Sequence, residues 1–356
     1  MQSVTIGKNQ AGQRLDKFLR KLMPEAGTGF LYKMLRKKNI TLNGKRAEGS
    51  EMLALGDTVS LFFSPETFTK MTGGAAVPKP GRNDPSEYLQ AYRSLSGAGI
   101  LVLYEDSHIL AVDKPVGILS QKAEEGDMSL NEWLIGYLLE EAAFPPEELR
   151  TFRPSVCNRL DRNTSGIVLC GKSLAGSQYL SSHIKDRSIR KLYRTICVGE
   201  LTEEAALRGC LKKDSRKNRV TVESIRIRNR SGQESERDPD TPAAEGSEGG
   251  QNHIETVIRP LSTAKGYTLL EVELITGKSH QIRAHLASIG HPLIGDRKYG
   301  DEKVNRLLKE KFGLTSQLLH AYRTYLPAFE GDGGEGITIC APCPENFQRI
   351  MEGLHL

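Results

Sequence analysis

Apolar side chains recur at helical spacing twice near the start of the chain. A first helix is predicted over 15–22, where leucine and phenylalanine lie three or four positions apart and Pro24 ends the pattern. A second helix is predicted over 30–35, with lysine and arginine on the face opposite its apolar side chains. The alternating run 40–44 ends in Asn-Gly, a hairpin signal, and 59–63 alternates again. A small domain of two helices and a few short strands is therefore predicted.

The rest of the chain divides into a linker and a larger domain. Residues 64–99 contain Gly73-Gly74, Pro78, Pro80 and Pro85 with almost no apolar periodicity, which is typical of a flexible linker. From residue 100 onward, short apolar runs predict strands at 100–104, 109–112, 166–170, 193–198, 268–274 and 337–340. Helical patterns lie between them, at 130–142, 175–184 and 280–289. The larger domain is thus predicted to mix helices and strands.

The net charge of +5 over 356 residues is unevenly distributed. Residues 1–63 carry 11 basic and 5 acidic side chains, a net charge of +6. Residues 229–252 carry 2 basic and 6 acidic side chains and no aliphatic side chain larger than alanine, so a disordered insertion is predicted there. The segregated positive charge indicates a negatively charged partner for the small domain.

Composition narrows the classes of protein further. Hydrophobic residues make up 38% and charged residues 26%, which fits a folded globular protein, and no apolar run approaches the ~18 residues of a membrane-spanning helix. The first fifteen residues lack the apolar core of a signal peptide, and six cysteines in so long a chain fit reduced thiols. We therefore expect a cytoplasmic protein that has no contact with a membrane.

The densest polar run of the large domain is Cys157-Asn158-Arg159-Leu160-Asp161-Arg162-Asn163-Thr164-Ser165-Gly166, directly before an apolar strand. One interpretation is an ordinary turn, because short polar side chains bond their own backbone and Gly166 tolerates unusual dihedral angles. The other interpretation is a functional carboxylate, Asp161, kept ionised between two arginines, which suits a nucleophile.

A second polar run, from Thr276 to Leu286, passes from a strand into a helix. Its apolar positions repeat four residues apart and should face inward. Arg283 lies near the start of the helix, where its side chain can reach a site at the end of the strand. The alternative is an ordinary exposed helix start.

Together these two runs resemble the signatures of the RluA-type RNA pseudouridine synthases. The run 158–166 resembles H-R-L-D-x-x-T-S-G, and the run 276–286 resembles T-G-R-[ST]-H-Q-I-R-x-H-L. Residues 290–300 resemble the family's G-x-P-x-x-G-D-x-x-Y-G motif, residues 319–321 its L-H-A motif and residues 341–344 its A-P-x-P motif. Residues 109–117 resemble the usual start of the family's catalytic domain. Residues 12–19 and 40–45 resemble the S-four-like RNA-binding module that is often fused in front.

The resemblance implies an α+β fold, with a mixed, largely antiparallel sheet in the catalytic domain and a small α/β module before it. The implied organisation is an S-four-like RNA-binding module over 1–63, a flexible linker over 64–99 and a catalytic domain over 100–356, interrupted by the insertion at 229–252. Only the linker and the insertion lie outside the resemblance.

The resemblance also implies an activity, the isomerisation of uridine in RNA to pseudouridine, which needs no cofactor and no metal. By the match, Asp161 is the nucleophile, whether it attacks the anomeric carbon or first assists glycal formation. Tyr193 stacks on the target base, and Arg283 pairs with Asp161. Arg159 fills the gap left by the flipped uridine, since extruding a base costs a few kcal/mol. For Tyr193 the alternative is a plain strand aromatic.

RNA is the implied partner. We expect Arg14, Lys17, Lys33, Arg36 and Lys37 of the module to bind it, because clustered cations neutralise phosphates. The alternative is that these basic residues only form the solvent-exposed face of a helix. By family analogy, the fused module favours large-subunit ribosomal RNA over transfer RNA, and a monomer without a small-molecule cofactor is expected. For the whole chain, the alternative is a non-catalytic RNA-binding or assembly protein on the same fold.

Two positions depart from the two signatures of the catalytic domain. Asn158 stands where the signature has histidine, so the side chain there cannot titrate. Lys278 stands where the second signature has arginine, so the compact charge of an ammonium replaces the several N–H donors of a planar guanidinium.

Other motifs do not change the interpretation. Residues 166–173 match a phosphate-binding G-x-x-x-x-G-K-[ST] in letters only, because the middle is an apolar strand, and 331–336 match G-x-G-x-x-G but precede a strand. Neither the single pair Cys340 and Cys343 nor the spacing of His280, His285 and His291 fits a metal site, so we expect these histidines to cap helices or edge the core.

Overall fold

The computed structural model describes residues 1–73, 84–124, 126–214, 219–229, 234–236, 253–329 and 335–356. These residues form two compact units: unit 1 comprises 1–111, 119–159 and 169–181, and unit 2 comprises 112–118, 160–168 and 182–356. Among the residues described, every helix is too short or too polar to span a membrane. Most of the predicted insertion and residues 331–334 of the glycine-rich motif lie outside the described residues.

The amino-terminal part of unit 1 contains the predicted helices and strands. They are α1 (Leu15–Leu22), α2 (Thr28–Arg36) and an antiparallel sheet of β1 (Gln2–Thr5), β2 (Ile40–Leu42), β3 (Lys45–Arg46) and β4 (Thr58–Leu61), in the order β1-β4-β2-β3. The predicted hairpin turn is confirmed, because Asn43 and Gly44 both have positive φ, 51° and 72°. The apolar faces of both helices pack on this sheet around Phe18 and Leu35.

Residues 64–99, predicted as a flexible linker, contain the helices α3 (Pro65–Met71) and α4 (Pro85–Leu95). Both begin with a capping side chain followed by proline: Ser64 accepts a hydrogen bond from the Thr67 amide, and Asp84 accepts one from the Ser86 amide. These start signals outweigh the weak apolar periodicity. The domain boundaries at 63 and 99 stay a prediction.

The remainder of unit 1 holds β5 (Leu101–Glu105), α5 (Leu130–Glu140), β7 (Ser155–Val156) and most of α6 (Leu174–Lys185), while β6 (Ile109–Lys114) and β8 (Ser165–Gly171) contribute to both units. The amino-terminal part contacts this remainder directly. Gln10 Nε2 donates to Thr151 Oγ1 over 2.9 Å, and Asn9 Nδ2 donates to Glu148 Oε2 over 2.6 Å. Both Gln10 and Thr151 are buried.

Unit 2 is built on a mixed, largely antiparallel sheet, which confirms the predicted fold class. Its strands are β9 (Arg190–Val198), β10 (Ala205–Asp214), β11 (Arg219–Asn229), β12 (Glu234–Glu236), β13 (His253–Ala264), β14 (Tyr267–Leu274), β15 (Leu319–Leu326) and β16 (Ile337–Cys340). The order is β12-β11-β10-β13-β14-β9-β15, all antiparallel, with β16 also on β15 and the start of β8 parallel to it. Its helices are α7 (Gln281–Ser288), α8 (Glu302–Phe312) and α9 (Glu345–Leu354).

The two faces of this sheet have different coverings. On one face, Ile196 and Leu269 join Leu308 of α8 and Phe347 of α9 in an apolar cluster. The opposite face, called the α7 face below, carries Tyr193 and the Val272 paired with it, and it packs against α7. The residues 166–173 lie in and after the buried strand β8, so they form no phosphate-binding loop, as expected.

Candidate active site

Asp161 lies in a tight turn directly before β8. The Thr164 amide donates to the Asp161 carbonyl over 3.0 Å, so the predicted turn is confirmed. Gly166 follows with a φ of +112°, and a Cβ there would lie 2.2 Å from the Ala321 carbonyl oxygen. Only glycine allows β8 to approach β15 so closely. This approach fixes the path of the chain leaving Asp161.

Lys114 fastens the same turn from the end of β6. Its side chain is fully buried, and its Nζ donates to the carbonyl oxygens of Pro115 and Ile118 at 2.9 Å and of Arg162 at 3.2 Å. Burial lowers the pKa of Lys114 to about 7, although the nearby Asp161 and Asp113 carboxylates favour the charged form. Lys114 therefore holds Arg162, the residue after Asp161, through the Arg162 carbonyl oxygen.

Arg283 on α7 bridges two carboxylates. Its Nη1 donates to Asp161 Oδ2 over 2.7 Å, while Nε and Nη2 donate to Asp296 Oδ2 and Oδ1 over 2.6 and 2.9 Å. The structure thus brings together the Arg283 and Asp161 side chains that the sequence paired. A lysine has no planar fork and cannot make this set of bonds.

Asp296 makes this arrangement rigid, and no role was predicted for it. It is fully buried and also accepts the Lys298 and Tyr299 amides, at 2.9 and 3.1 Å. Burial raises the pKa of the Asp296 carboxyl, but the Arg283 bonds and the two amides outweigh burial and lower it. Burial lowers the pKa of Arg283, but the Asp296 and Asp161 carboxylates outweigh burial and raise it. Both groups therefore stay charged. The sequence signal for Asp296 was the aspartate of the G-x-P-x-x-G-D-x-x-Y-G motif, which it matches.

His280 also faces Asp161, which was not predicted. It adopts the left-handed conformation with a φ of 57° directly before α7, and its side chain makes no cap bond. The Tyr299 hydroxyl accepts from the Val220 amide over 2.9 Å and lies 3.0 Å from His280 Nδ1. The other ring nitrogen of His280, Nε2, lies 3.9 Å from Asp161 Oδ2. Burial lowers the pKa of His280, although Asp161 opposes this.

Tyr193 lies in the middle of β9 on the α7 face. It is 5% exposed, and burial together with the Asp161 charge raises its pKa, so the ring stays neutral. A neutral, largely buried aromatic ring near a carboxylate is suited to stacking on a base. This role remains a prediction.

The other predicted residues lie in unit 1. Arg159 is exposed, and the adjacent Asn158 uses its Oδ1 to accept the Leu169 amide over 2.7 Å. Asn158 thus makes a structural bond to the backbone through its amide oxygen, which needs no titrating group. The basic residues of the module are all exposed: Arg14, Lys17, Lys33, Arg36 and Lys37. Arg14 pairs with Asp16 over 3.1 Å, so its charge is partly neutralised.

The remaining histidines and cysteines show no metal site in the described parts of the chain, where no group of three metal-ligating side chains occurs. His285 is buried and lies 2.9 Å from Thr256 Oγ1, and His291 lies 2.9 Å from the Val198 carbonyl oxygen. These two histidines belong to the core and its edge, as expected. Cys340 and Cys343 are free thiols.

The site thus holds a carboxylate fixed by an arginine, beside a neutral histidine and a neutral tyrosine. Residues 108–288, just over half of the chain, match the family model described as RNA pseudouridylate synthase. The chain belongs to this family. It is an RNA pseudouridine synthase, an isomerase, as the sequence motifs predicted.

Similar proteins extend this match to the whole chain. The ribosomal large subunit pseudouridine synthase C of Vibrio vulnificus (strain CMCP6) is 28% identical over 361 positions, covering 99% of this chain and 96% of its own. The protein of the same name from Escherichia coli (strain K12) is 28% identical over 363 positions, with the same coverage of both chains. The solved structure of the human RNA pseudouridylate synthase domain containing 4 covers 76% of this chain and 97% of its own at 20% identity, with a TM-score of 0.55, which supports the pseudouridine synthase fold.

Proposed function

We propose that this pseudouridine synthase modifies uridines of large-subunit ribosomal RNA, with Asp161 as its nucleophile. The named relatives are ribosomal large subunit enzymes, and they match this chain over nearly its full length, including the amino-terminal module. The proposal includes a monomeric enzyme that uses no cofactor.

One observation carries the assignment of Asp161. Its Oδ2 is held by Arg283 at 2.7 Å, whereas its Oδ1 has no hydrogen bond to any described residue. One oxygen is thus used for orientation and the other is left for the substrate. A carboxylate oriented in this way reacts without first losing freedom of rotation, which is a large part of catalysis by positioning.

The proposed reaction starts when the glycosidic bond between N1 and C1′ of the target uridine breaks and uracil leaves with the bonding electrons. Oδ1 either bonds to C1′ during this step or takes the C2′ proton so that a glycal forms. The base turns and C5 bonds to C1′. Asp161 then leaves C1′ or, on the glycal route, returns the proton to C2′. The proton lost from C5 is balanced by one gained at N1, so the isomerisation is redox-neutral.

The other site residues support this sequence of steps. Arg283 stabilises the negative charge when Asp161 is released, and its bonds to Asp296 hold it in place. The Tyr193 ring stacks on the extruded base while it turns, and Arg159 occupies the space that the base left. Extrusion costs a few kcal/mol, which stacking at about 1–3 kcal/mol per base offsets.

The substrate is tested by mapping pseudouridine in ribosomal RNA from cells that lack the gene, and from the same cells complemented with wild-type enzyme or Asp161→Asn. We expect at least one large-subunit uridine to lose its modification on deletion and to regain it only with the wild type. A full set of ribosomal modifications in the deletion, with a missing site in transfer RNA, would overturn the ribosomal substrate. Full restoration by Asp161→Asn would overturn the nucleophile.

A further inference from the structure

Lys191 is a second buried lysine of unit 2, and its environment is the opposite of that of Lys114. Its residue exposure is 9%, and within the described residues its ammonium makes no hydrogen bond and no ion pair. Lys114, in contrast, donates to three carbonyl oxygens and lies near two carboxylates. Burial lowers the pKa of Lys191, and no neighbouring carboxylate opposes this effect. The stem of Lys191 is thus buried, while its ammonium stays within reach of solvent, so a partner from outside can bind it.

The position of Lys191 points to the active site. It precedes Tyr193 by two residues on β9, so both side chains lie on the α7 face, about 7 Å apart along the strand. Strand register also places Thr324 of β15 beside Lys191 and Ala321 beside Tyr193. The stem of Lys191 is therefore buried next to the residue proposed to hold the base.

The ammonium itself lies beside the exposed loop that leads to His280. A Cβ built on Gly277 would be 3.9 Å from Nζ of Lys191, and no other side chain is that close to this position. Gly277 is exposed, as are Lys278 and Ser279 after it. This loop continues into His280, whose ring faces Asp161. Because glycine carries no side chain, nothing on this loop residue covers the ammonium.

We propose that Lys191 binds a backbone phosphate of the RNA beside the target uridine and so positions the nucleotide for attack by Asp161. This inference rests on the proposed function, because it assumes an RNA strand across the site. A phosphate supplies the full negative charge that this ammonium lacks, in a charge-assisted contact that a compact point charge makes well. Lys191 is thus a positioning residue and takes no part in bond breaking.

The test compares wild-type enzyme with Lys191→Met, which keeps the length of the stem and removes the charge. Binding to unmodified large-subunit ribosomal RNA, transcribed in vitro, is measured over a range of KCl concentrations. We expect a Kd about 10- to 100-fold higher. The slope of log K against log salt should be less steep by about 0.7 to 0.9, the value for one phosphate that the variant no longer neutralises. Lys191→Arg should retain the slope.

The matched control is Lys309→Met, because Lys309 is exposed on α8, which packs on the opposite face of the sheet. It should leave both affinity and slope unchanged. Thermal unfolding of the free protein separates positioning from structure: Lys191→Met should unfold at the wild-type temperature or higher, because it removes an unpaired cation. An unchanged salt slope, or a lower unfolding temperature, would overturn the assignment of Lys191. The absence of pseudouridine formation by the wild type would instead overturn the proposed function.

Discussion

The proposed active site of unit 2 and the basic surface of the amino-terminal module use the same residue types in opposite ways. Arg283 is 6% exposed, and its guanidinium makes three bonds to two carboxylates. On α2 and at its end, Lys33, Arg36 and Lys37 are exposed and make no ion pair within the described residues. The first arrangement fixes geometry. The second leaves charge available to a partner.

This difference separates two tasks that the net charge of +5 combines. A buried cation held by carboxylates contributes little attraction at a distance, because its field is already neutralised, but it orients a reacting group within tenths of an ångström. Exposed, unpaired cations orient nothing on their own, yet they attract RNA and release counterions on binding. Catalysis and substrate capture should therefore fail separately when each region is altered.

The largest effect is expected from Arg283→Lys. The lysine keeps the positive charge but cannot bridge Asp161 and Asp296 at once, so we expect the single-turnover rate to fall about 100-fold. RNA affinity should hardly change, because Arg283 is neutralised in the wild type. Arg208→Lys is the matched control: Arg208 pairs with Glu255 on the sheet, with 46% of its side chain exposed, and such pairs contribute little. A wild-type rate for Arg283→Lys would show that the bridge is not needed.

A smaller effect, confined to binding, is expected from the triple variant Lys33→Gln, Arg36→Gln and Lys37→Gln. For each phosphate that the module no longer neutralises, the salt slope should fall by about 0.7 to 0.9, and the affinity should fall at low salt. The rate at saturating RNA should stay at the wild-type value, since the site in unit 2 is untouched. The control removes three exposed charges from α8, at Arg306, Lys309 and Lys311. Equal slopes for both triple variants would contradict a specific role for the module.

The smallest effect concerns how the module is attached. The buried Gln10–Thr151 bond of 2.9 Å should couple the two residues by about 1 kcal/mol in a double-mutant cycle of thermal unfolding, with Gln10→Ala and Thr151→Val. Inserting six Gly and Ser residues after Gly74 should leave RNA affinity unchanged, because direct contacts hold the module. Additive effects in the cycle, or a large loss of affinity on insertion, would indicate a module held only by its linker.

The sequence predicted those parts of the molecule in which local signals and packing agree. Both helices of the module, the Asn43-Gly44 turn and β8 have apolar periodicity or turn chemistry that matches their environment. The long strands β10, β11 and β13 were missed, because their sheet face carries charged residues such as Arg208 and Glu255, which interrupt the apolar pattern. Their strand form depends on neighbouring strands that sequence spacing does not reveal.

The candidate site divides in the same way. Asp161 and Arg283 carry motif matches, so their pairing was predictable, whereas Asp296 and Lys114 act through contacts between segments far apart in the chain. His280 was expected to cap a helix or to lie at the edge of the core. Its left-handed backbone instead turns the ring toward Asp161, and no spacing rule predicts that conformation for histidine.

The central claim, that Asp161 is the nucleophile, is tested most directly by following tritium released from C5 of uridine in labelled RNA under single-turnover conditions. C5 loses its hydrogen only if the new bond to C1′ forms. For Asp161→Asn we predict a release rate at least about 10⁴-fold below that of the wild type, with RNA affinity unchanged. Release within about tenfold of the wild-type rate would contradict the assignment, because an amide cannot replace a carboxylate as nucleophile or base.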